Sequence, residues 1–320
     1  MSDHRSAGTP DAPATDFVAV DTMNRLNVAP TITRLQGQRL EAGLYLVATP
    51  IGNLADITLR ALTTLSLVDE IYCEDTRHSR TLLSHYGIST KLSAYHEHNA
   101  ATERPRILAK LGAGRRIAVI SDAGTPLISD PGFKLARGAL DEGYRVISLP
   151  GASAALTALT SCGLPSDCFL FAGFLPPKSG QRRTRLSELV AVPATLIFFE
   201  APQRISETLV DMLAVLGDRP AALARELTKL HEELRRSTLA GLATETSNEP
   251  LRGEFVIVVG PPLATAVTDQ QIIDQLLPLR NSLSLRDASR ALAEKLGIPK
   301  SKVYDLGVKM KRPSNEDGVK

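Results

Sequence analysis

Residues 115–151 read RRIAVISDAGTPLISDPGFKLARGALDEGYRVISLPG. RRIAVIS predicts a buried strand, FKLARGALDEG a helix closed by glycine, and YRVISLPG a second strand. Strand, loop, helix and strand in that order make a βαβ unit, whose two strands pair in parallel. The intervening loop, VISDAGTPLISDPG at 119–132, crowds Gly124, Pro126, Asp130, Pro131 and Gly132 behind the first strand. An ordinary turn accounts for such residues. A ligand loop accounts for them as well, because open α/β sheets bind ligands beyond the carboxyl ends of their strands. Asp122 adds a fixed negative charge there, which suits a cation better than a phosphate.

The same alternation extends outward. Towards the N-terminus lie GLYLVATP (strand), DITLRALTTLSLV (helix), DEIYCED (strand), RHSRTLLSHYG (helix), KLSAYH (a weaker strand) and TERPRILAKLGAG (helix). ASAALTALTSCG follows as a small-residue helix. From about Pro165 the rhythm changes. CFLFAGF, ATLIFFE, AALAREL, EELRRSTLAG and GEFVIVVG are five strand candidates, with helices only at RRTRLSELV and RISETLVDMLAVLG. Successive strands without a helix between them predict a mixed sheet. PPLATAVTDQ reads as a linker, and DQQIIDQLLPLR, LRDASRALAEKLG and PKSKVYDLGVKM as three helices, the last two at helix-turn-helix spacing. The expected organisation is a disordered extension over 1–40, α/β domains over 41–164 and 165–262, and a helical appendage over 268–312.

At 320 residues the chain has room for two domains. A net charge of +2 argues for no nucleic-acid partner by itself, yet residues 280–312 carry nine Lys or Arg against three Asp or Glu. Cys73, Cys162 and Cys168 show neither a CxxC pair nor metal spacing, which favours a reducing, cytoplasmic compartment. No apolar run approaches the roughly 18 residues of a membrane helix. The opening MSDHRSAGTPDAPATDFVAVDTMN lacks the apolar region of a signal peptide.

Each motif has a plain reading and a functional one. ATPIGNLADIT has one glycine, Gly52, where a dinucleotide fingerprint needs three, so a strand-to-helix turn capped by Asp56 is expected. LPGASA places small residues at a helix start, for close packing or for a ligand. FFEAPQR ends a strand on Glu200, followed by Arg204. ARELTKLHEEL gathers Arg225, Glu226, Lys229, His231, Glu232 and Glu233, either as a solvated face or as a reactive cluster. CEDTRHSR and AYHEHN add Glu74, Asp75, Arg77, His78, His96 and His98; an HxH with nearby acids is metal-like, but no further ligand has an evident spacing. FLPPKSGQRRTRL sets Lys178, Arg182, Arg183 and Arg185 in a basic loop that is solvated or bound to phosphates.

Taken in order, LVATPIGNLADITLRAL, EDTRHSRTLL, HEHN, VISDAGTPLISDPG, LPGASA, GLPSDCFLFAGFLPPKSGQRR, IFFEAPQR and ARELTKLHEE resemble the small-subunit ribosomal RNA cytidine 2′-O-methyltransferases, within the tetrapyrrole-methylase superfamily. The resemblance spans about Gly43 to Pro261, and the last helices resemble that family's helix-turn-helix appendage. It implies a two-domain α/β fold, parallel in the first domain and mixed in the second. It further implies S-adenosylmethionine in the cleft between the domains, a homodimer, and methylation of a cytidine 2′-hydroxyl in the decoding region of 16S rRNA on the 30S subunit. Carried over residue by residue, Thr49, Pro50, Asp122, Ala123, Gly124, Thr125, Ser153, Ala154, Glu200 and Ala201 would line the cofactor site. Gln203 stands where the family often has His.

A ribose hydroxyl is a weak nucleophile, and a base that takes its proton contributes about 10²–10⁴-fold. Glu226, Lys229, Glu232 and Asp75 are the candidates. Arg77, Lys178, Arg182, Arg183, Arg204 and Arg225 are candidate RNA anchors. No metal is expected. Two rivals remain: a methylase of a small tetrapyrrole, for which a basic loop and tail have no use, and a ribosome-binding module without catalysis.

Overall fold

The computed structural model describes residues 27–129, 132–247, 250–263 and 268–310. Residues 1–26 of the expected extension, Asp130 and Pro131 of the quoted loop, 264–267 of the linker and 311–312 of the basic tail lie outside them. The chain divides into two compact units, 1–154 and 155–320.

The first unit contains α1 (Ala29–Gln36), β1 (Gly43–Val47), α2 (Leu59–Leu67), β2 (Glu70–Cys73), α3 (Thr76–His85), β3 (Leu92–Ala94), α4 (Ala100–Gly112), β4 (Arg116–Ile120), α5 (Phe133–Asp141) and β5 (Val146–Leu149). Its sheet has the order β3-β2-β4-β1-β5, and every pair is parallel. Val47, Ile71, Ala118 and Ile120 pack against Ala61 and Leu65 of α2 and Leu83 of α3. Leu44, Tyr72, Ile117 and Val119 pack with Ile107 and Leu111 of α4 and Leu135 and Ala139 of α5. Burial on both faces makes such strands read as continuous apolar runs.

Two expectations fail here. The stretch expected to be disordered to residue 40 forms α1 from Ala29, with proline in its first turn, and α1 packs on α2. Asp56 is no N-cap: it ends a 3-10 turn, Leu54–Asp56, capped by Asn53. The cap of α2 is Thr58, the extended residue directly before it, whose hydroxyl accepts the Ala61 N–H at 3.0 Å.

The second unit is built from α6 (Ala154–Cys162), which begins at the boundary, then β6 (Phe169–Phe174), α7 (Ser179–Ser187), β7 (Thr195–Glu200), α8 (Ile205–Leu216), β8 (Pro220–Arg225), β9 (Glu233–Thr238), α9 (Leu239–Thr246), β10 (Phe255–Val259), α10 (Asp269–Arg280), α11 (Leu285–Leu296) and α12 (Lys300–Lys309). Its sheet, β6-β7-β10-β8-β9, is mixed as expected: β6 and β7 are parallel and the other pairs antiparallel. Helix α9 replaces the end of the expected strand EELRRSTLAG. The strand stops at Thr238, whose hydroxyl accepts the Gly241 N–H and so starts a helix before β10. Helices α10–α12 enclose a small core of Ile272, Leu276, Ala288, Leu292, Ala293 and Val303. Gly297, left-handed at φ 64°, turns α11 towards α12.

Candidate active site

Because the strands of the first sheet all run one way, their carboxyl ends share one edge. β1 is prolonged there by a two-way bridge: the Thr49 N–H donates to the Gly124 carbonyl at 2.9 Å, and the Gly124 N–H donates back at 3.0 Å. The Thr49 hydroxyl donates to the Ser121 carbonyl at 3.0 Å, and the Ser121 hydroxyl to the Gly124 carbonyl at 2.6 Å. Thr125 reaches the third strand end by donating to the Ala152 carbonyl at 3.2 Å. Thr49, Pro50 and Ser121 are buried, so this lattice shapes the edge rather than coating it. Ala123 is exposed, while Asp122, Thr125, Ser153 and Ala154 are half-buried.

The loop after β4 is strained. Gly124 has φ +78°, and a Cβ there would lie 3.2 Å from Ile51 Cγ2. Leu127 (φ 73°) and Ser129 (φ 62°) also occupy the left-handed region, which costs an L-residue about 1–2 kcal/mol. Strain of this kind clusters at ligand sites.

Asp122 is tied to the end of β2. Its Oδ1 accepts the Asp75 N–H at 3.2 Å, so a candidate cofactor contact and a candidate base share one edge. Asp75 itself caps α3 by accepting the Arg77 N–H at 2.8 Å. The Arg77 guanidinium lies 3.1 Å from the other carboxylate oxygen, and together these bonds hold the Asp75 carboxyl at about 2. A carboxylate so well stabilised is a weak base. Arg77 is 90% exposed and open to an anionic partner. The His96 and His98 rings lie 5.9 Å apart, and among the described residues no group of three or more His, Cys, Asp or Glu is placed to hold a metal.

In the second unit, the candidates at the end of β7 are locked inward. Glu200, 3% exposed, accepts the Ala201 N–H at 2.9 Å and the Thr208 hydroxyl at 2.7 Å, and pairs with Arg204 at 3.3 Å. Arg204 also donates to the Leu175 and Pro176 carbonyls, at 2.8 and 2.9 Å. Both charges therefore brace the start of α8 and the chain after β6. Gln203 beside them is exposed.

The turn from β8 to β9 gathers the remaining candidates. Lys229 lies 2.9 Å from Glu226 and 3.1 Å from Glu254, while Glu226 Oε1 also accepts the Glu254 N–H at 2.9 Å. Burial opposes both charges, but the pairing wins. The Glu226 carboxyl falls below its usual range and the Lys229 ammonium rises above its own. Lys229 is thus a cation at neutral pH, fitted to hold negative charge rather than to remove a proton. Glu232 accepts the Thr228 N–H at 2.5 Å, and Arg225 is 3.5 Å from Glu233. Glu226 and Thr228 have φ of 49° and 67°. Gly253 opposite has φ +98°, a backbone conformation that L side chains rarely adopt, and a Cβ there would also come within 2.7 Å of the Glu226 carboxylate.

One RNA candidate is corrected. Arg182 is 1% exposed, its Nε 2.7 Å from Asp211 Oδ2, and so it ties α7 to α8 out of reach of any RNA. Lys178, Arg183 and Arg185 remain exposed. Sequence reasoning missed Ser121, Asp211 and Glu254. The glycine-acid pair Gly253–Glu254 ahead of an apolar strand was the one available hint of the last.

The model of the tetrapyrrole (corrin/porphyrin) methylases matches residues 43–243. The chain belongs to this methylase family. Among its relatives, a protein from Mesorhizobium japonicum named ribosomal RNA small subunit methyltransferase I is 52% identical over 286 residues, covering 89% of this chain and 97% of the relative. A protein of the same name from Escherichia coli O157:H7 is 46% identical over 265 residues, 82% of this methylase and 93% of that one. Two solved structures share the fold at low identity. Diphthine synthase gives a TM-score of 0.53 at 14%, covering 68% of this chain and 89% of its own. Uroporphyrin-III C-methyltransferase from Thermus thermophilus gives 0.50 at 19%, covering 68% and 97%. The methylase is a methyltransferase, and its two sheets, one parallel and one mixed, are those the sequence led one to expect.

Proposed function

We propose that this methyltransferase transfers a methyl group from S-adenosylmethionine to the 2′-hydroxyl of a cytidine in the decoding region of 16S rRNA, on the 30S subunit and as a homodimer. The observation that carries this reading is 52% identity along nearly the whole of a relative named for small-subunit ribosomal RNA. The solved Thermus enzyme of the same fold was crystallised with S-adenosylhomocysteine, the cofactor's demethylated product.

The residues fit such a cofactor. None of Thr49, Pro50, Asp122–Thr125, Ser153, Ala154, Glu200 and Ala201 is basic. Asp122, with carbonyls around it, offers acceptors to the ammonium and sulfonium of the cofactor and repels a phosphate. When bound, S-adenosylmethionine supplies an electrophilic methyl on sulfur. The chain's own task is to place an oxygen in line with it and to accept that oxygen's proton, a task in which positioning carries much of the rate. On this reading Asp122 would hold the cofactor's ammonium in the first unit, and Arg77, Lys229 and Arg225 would each serve as a phosphate anchor. Glu226, Glu232 or Asp75 would be the group that receives the proton. The depressed Glu226 and Asp75 act only weakly in that role, so orientation outweighs base strength.

The deciding experiment incubates the protein and tritiated S-adenosylmethionine with unmethylated 30S subunits, free 16S rRNA, or a porphyrinogen. Label in the RNA of 30S subunits, located to a cytidine 2′-O-methyl by mass spectrometry, is expected. Label in the porphyrinogen alone would make this a tetrapyrrole methylase. Tight 30S binding with no label would leave a binding module.

A further inference from the structure

Away from the catalytic edge, the first unit carries two adjoining grooves. One, of about 240 Å³, is lined by α1, α2 and the edge strand β5, with Arg39, Arg60 and Arg145 on its walls. The other, of about 600 Å³, is lined by Arg39, Arg115 and Arg116 where β4 begins. Leu40 and Glu41 line both, so the two grooves form one band.

Five arginines face two acids in this band. Asp69 is 2.9 Å from Arg116 and 3.7 Å from Arg115, and Glu41 pairs with Arg145. Arg39 and Arg60 are exposed and have no ion-pair partner among the described residues. The side chains of Arg115 and Arg145 stay more than 60% exposed despite their partners. The band thus carries three excess positive charges, and no carboxylate among the described residues neutralises Arg39 or Arg60. Its guanidiniums are spread over two open grooves rather than converging on one point, which matches a polyanion better than a single phosphate. Planar guanidinium forks bind phosphate oxygens in pairs. Arg115 and Arg116 stand at the opposite end of β4 from Ser121, five residues or about 16 Å away. They therefore lie away from the edge that carries the candidate cofactor residues.

We propose that this arginine band is a second docking surface for the phosphodiester backbone of ribosomal RNA, separate from the catalytic edge. The proposal rests on the functional reading above for its substrate. It enlarges the footprint on the subunit and sets affinity, leaving the chemical step alone.

The test compares wild type with the R39E/R60E double variant, neither residue belonging to the proposed catalytic or cofactor-binding machinery. KM for 30S subunits is expected to rise about tenfold or more at low salt while kcat stays within about twofold. Each lost phosphate contact should flatten the plot of log affinity against log salt by roughly 0.7–0.9. Affinity for S-adenosylmethionine by calorimetry and the melting temperature should not change, and R39K/R60K should restore most of the affinity. An unchanged KM overturns the proposal, as does a loss of cofactor affinity or of melting temperature in step with the KM change. Filter binding of 30S subunits keeps the two readings apart. If wild type binds subunits through this band but never methylates them, the functional reading falls and the band stands.

Discussion

Gly124 shows how much one backbone position carries. Its N–H and carbonyl both bridge to Thr49, its carbonyl also takes the Ser121 hydroxyl, and its φ of +78° excludes an easy side chain. Gly124→Ala is expected to cost about 1–2 kcal/mol in denaturant unfolding and to weaken S-adenosylmethionine binding in calorimetry, because strain and the Ile51 contact act together. An affinity equal to wild type would show that this loop does not shape the cofactor site. Such positions were partly legible in advance: the turn residues of SDAGTP announced a specialised loop. The Ser121 lock was not legible, since a serine at a strand end has the same appearance whether it faces water or a carbonyl.

Between elements, buried charges decide. Glu70 on β2 is nearly enclosed, which resists ionisation. Lys110 at 2.5 Å, Lys91 at 2.9 Å and the Ser93 hydroxyl at 2.6 Å outweigh that and draw its carboxyl from 4.5 to about 2. The folded state thus favours the ionised form. Its stabilisation, on the order of 2–3 kcal/mol, is fully present above the ordinary value and is lost as pH falls towards 2. Glu70→Gln should lower stability at pH 7 and flatten the acid limb of a stability profile between roughly pH 5 and 2. On the other sheet, Arg182→Ala leaves Asp211 buried with only its Ser179 hydroxyl and the more distant Arg183, and should cost about 3–5 kcal/mol. Exposed Arg183→Glu should leave the melting temperature nearly unchanged and raise KM for 30S subunits. The opposite outcome would return Arg182 to the RNA surface. In sequence the two arginines are neighbours in one charge run, and what separates their roles is that Asp211, 29 residues on, binds buried Arg182 at 2.7 Å but lies 3.7 Å from exposed Arg183. Elements fared similarly. Strands buried on both faces declared themselves by unbroken apolar runs, whereas α9, eight residues long and rich in Ala, Gly and Thr, has too little apolar periodicity to stand out. Helix α1 hid behind a polar, proline-containing stretch.

At the scale of the whole molecule, the alternation of strand and helix followed by a denser run of strands was enough to foretell a parallel sheet and then a mixed one, because topology follows from element order. Site residues were less legible: proximity in sequence gathered Glu226, Lys229 and Glu232, but the strengths of Glu226 and Lys229 depend on Glu254, contributed by the segment before β10. One architectural detail reaches further. Helices α10–α12 bury a core of their own, six small or medium side chains beneath twelve-residue and ten-residue helices. So few buried groups give little cooperativity, and a region with few apolar contacts opens first. On warming, amides in 268–310 should exchange with deuterium well before those of β1, β4 or β10, and trypsin should clip this tail while the rest of the polypeptide remains intact. Enzyme shortened in this way would still turn over a small nucleoside acceptor at any rate it had before, yet lose its grip on ribosomes if that terminal bundle serves as a tether.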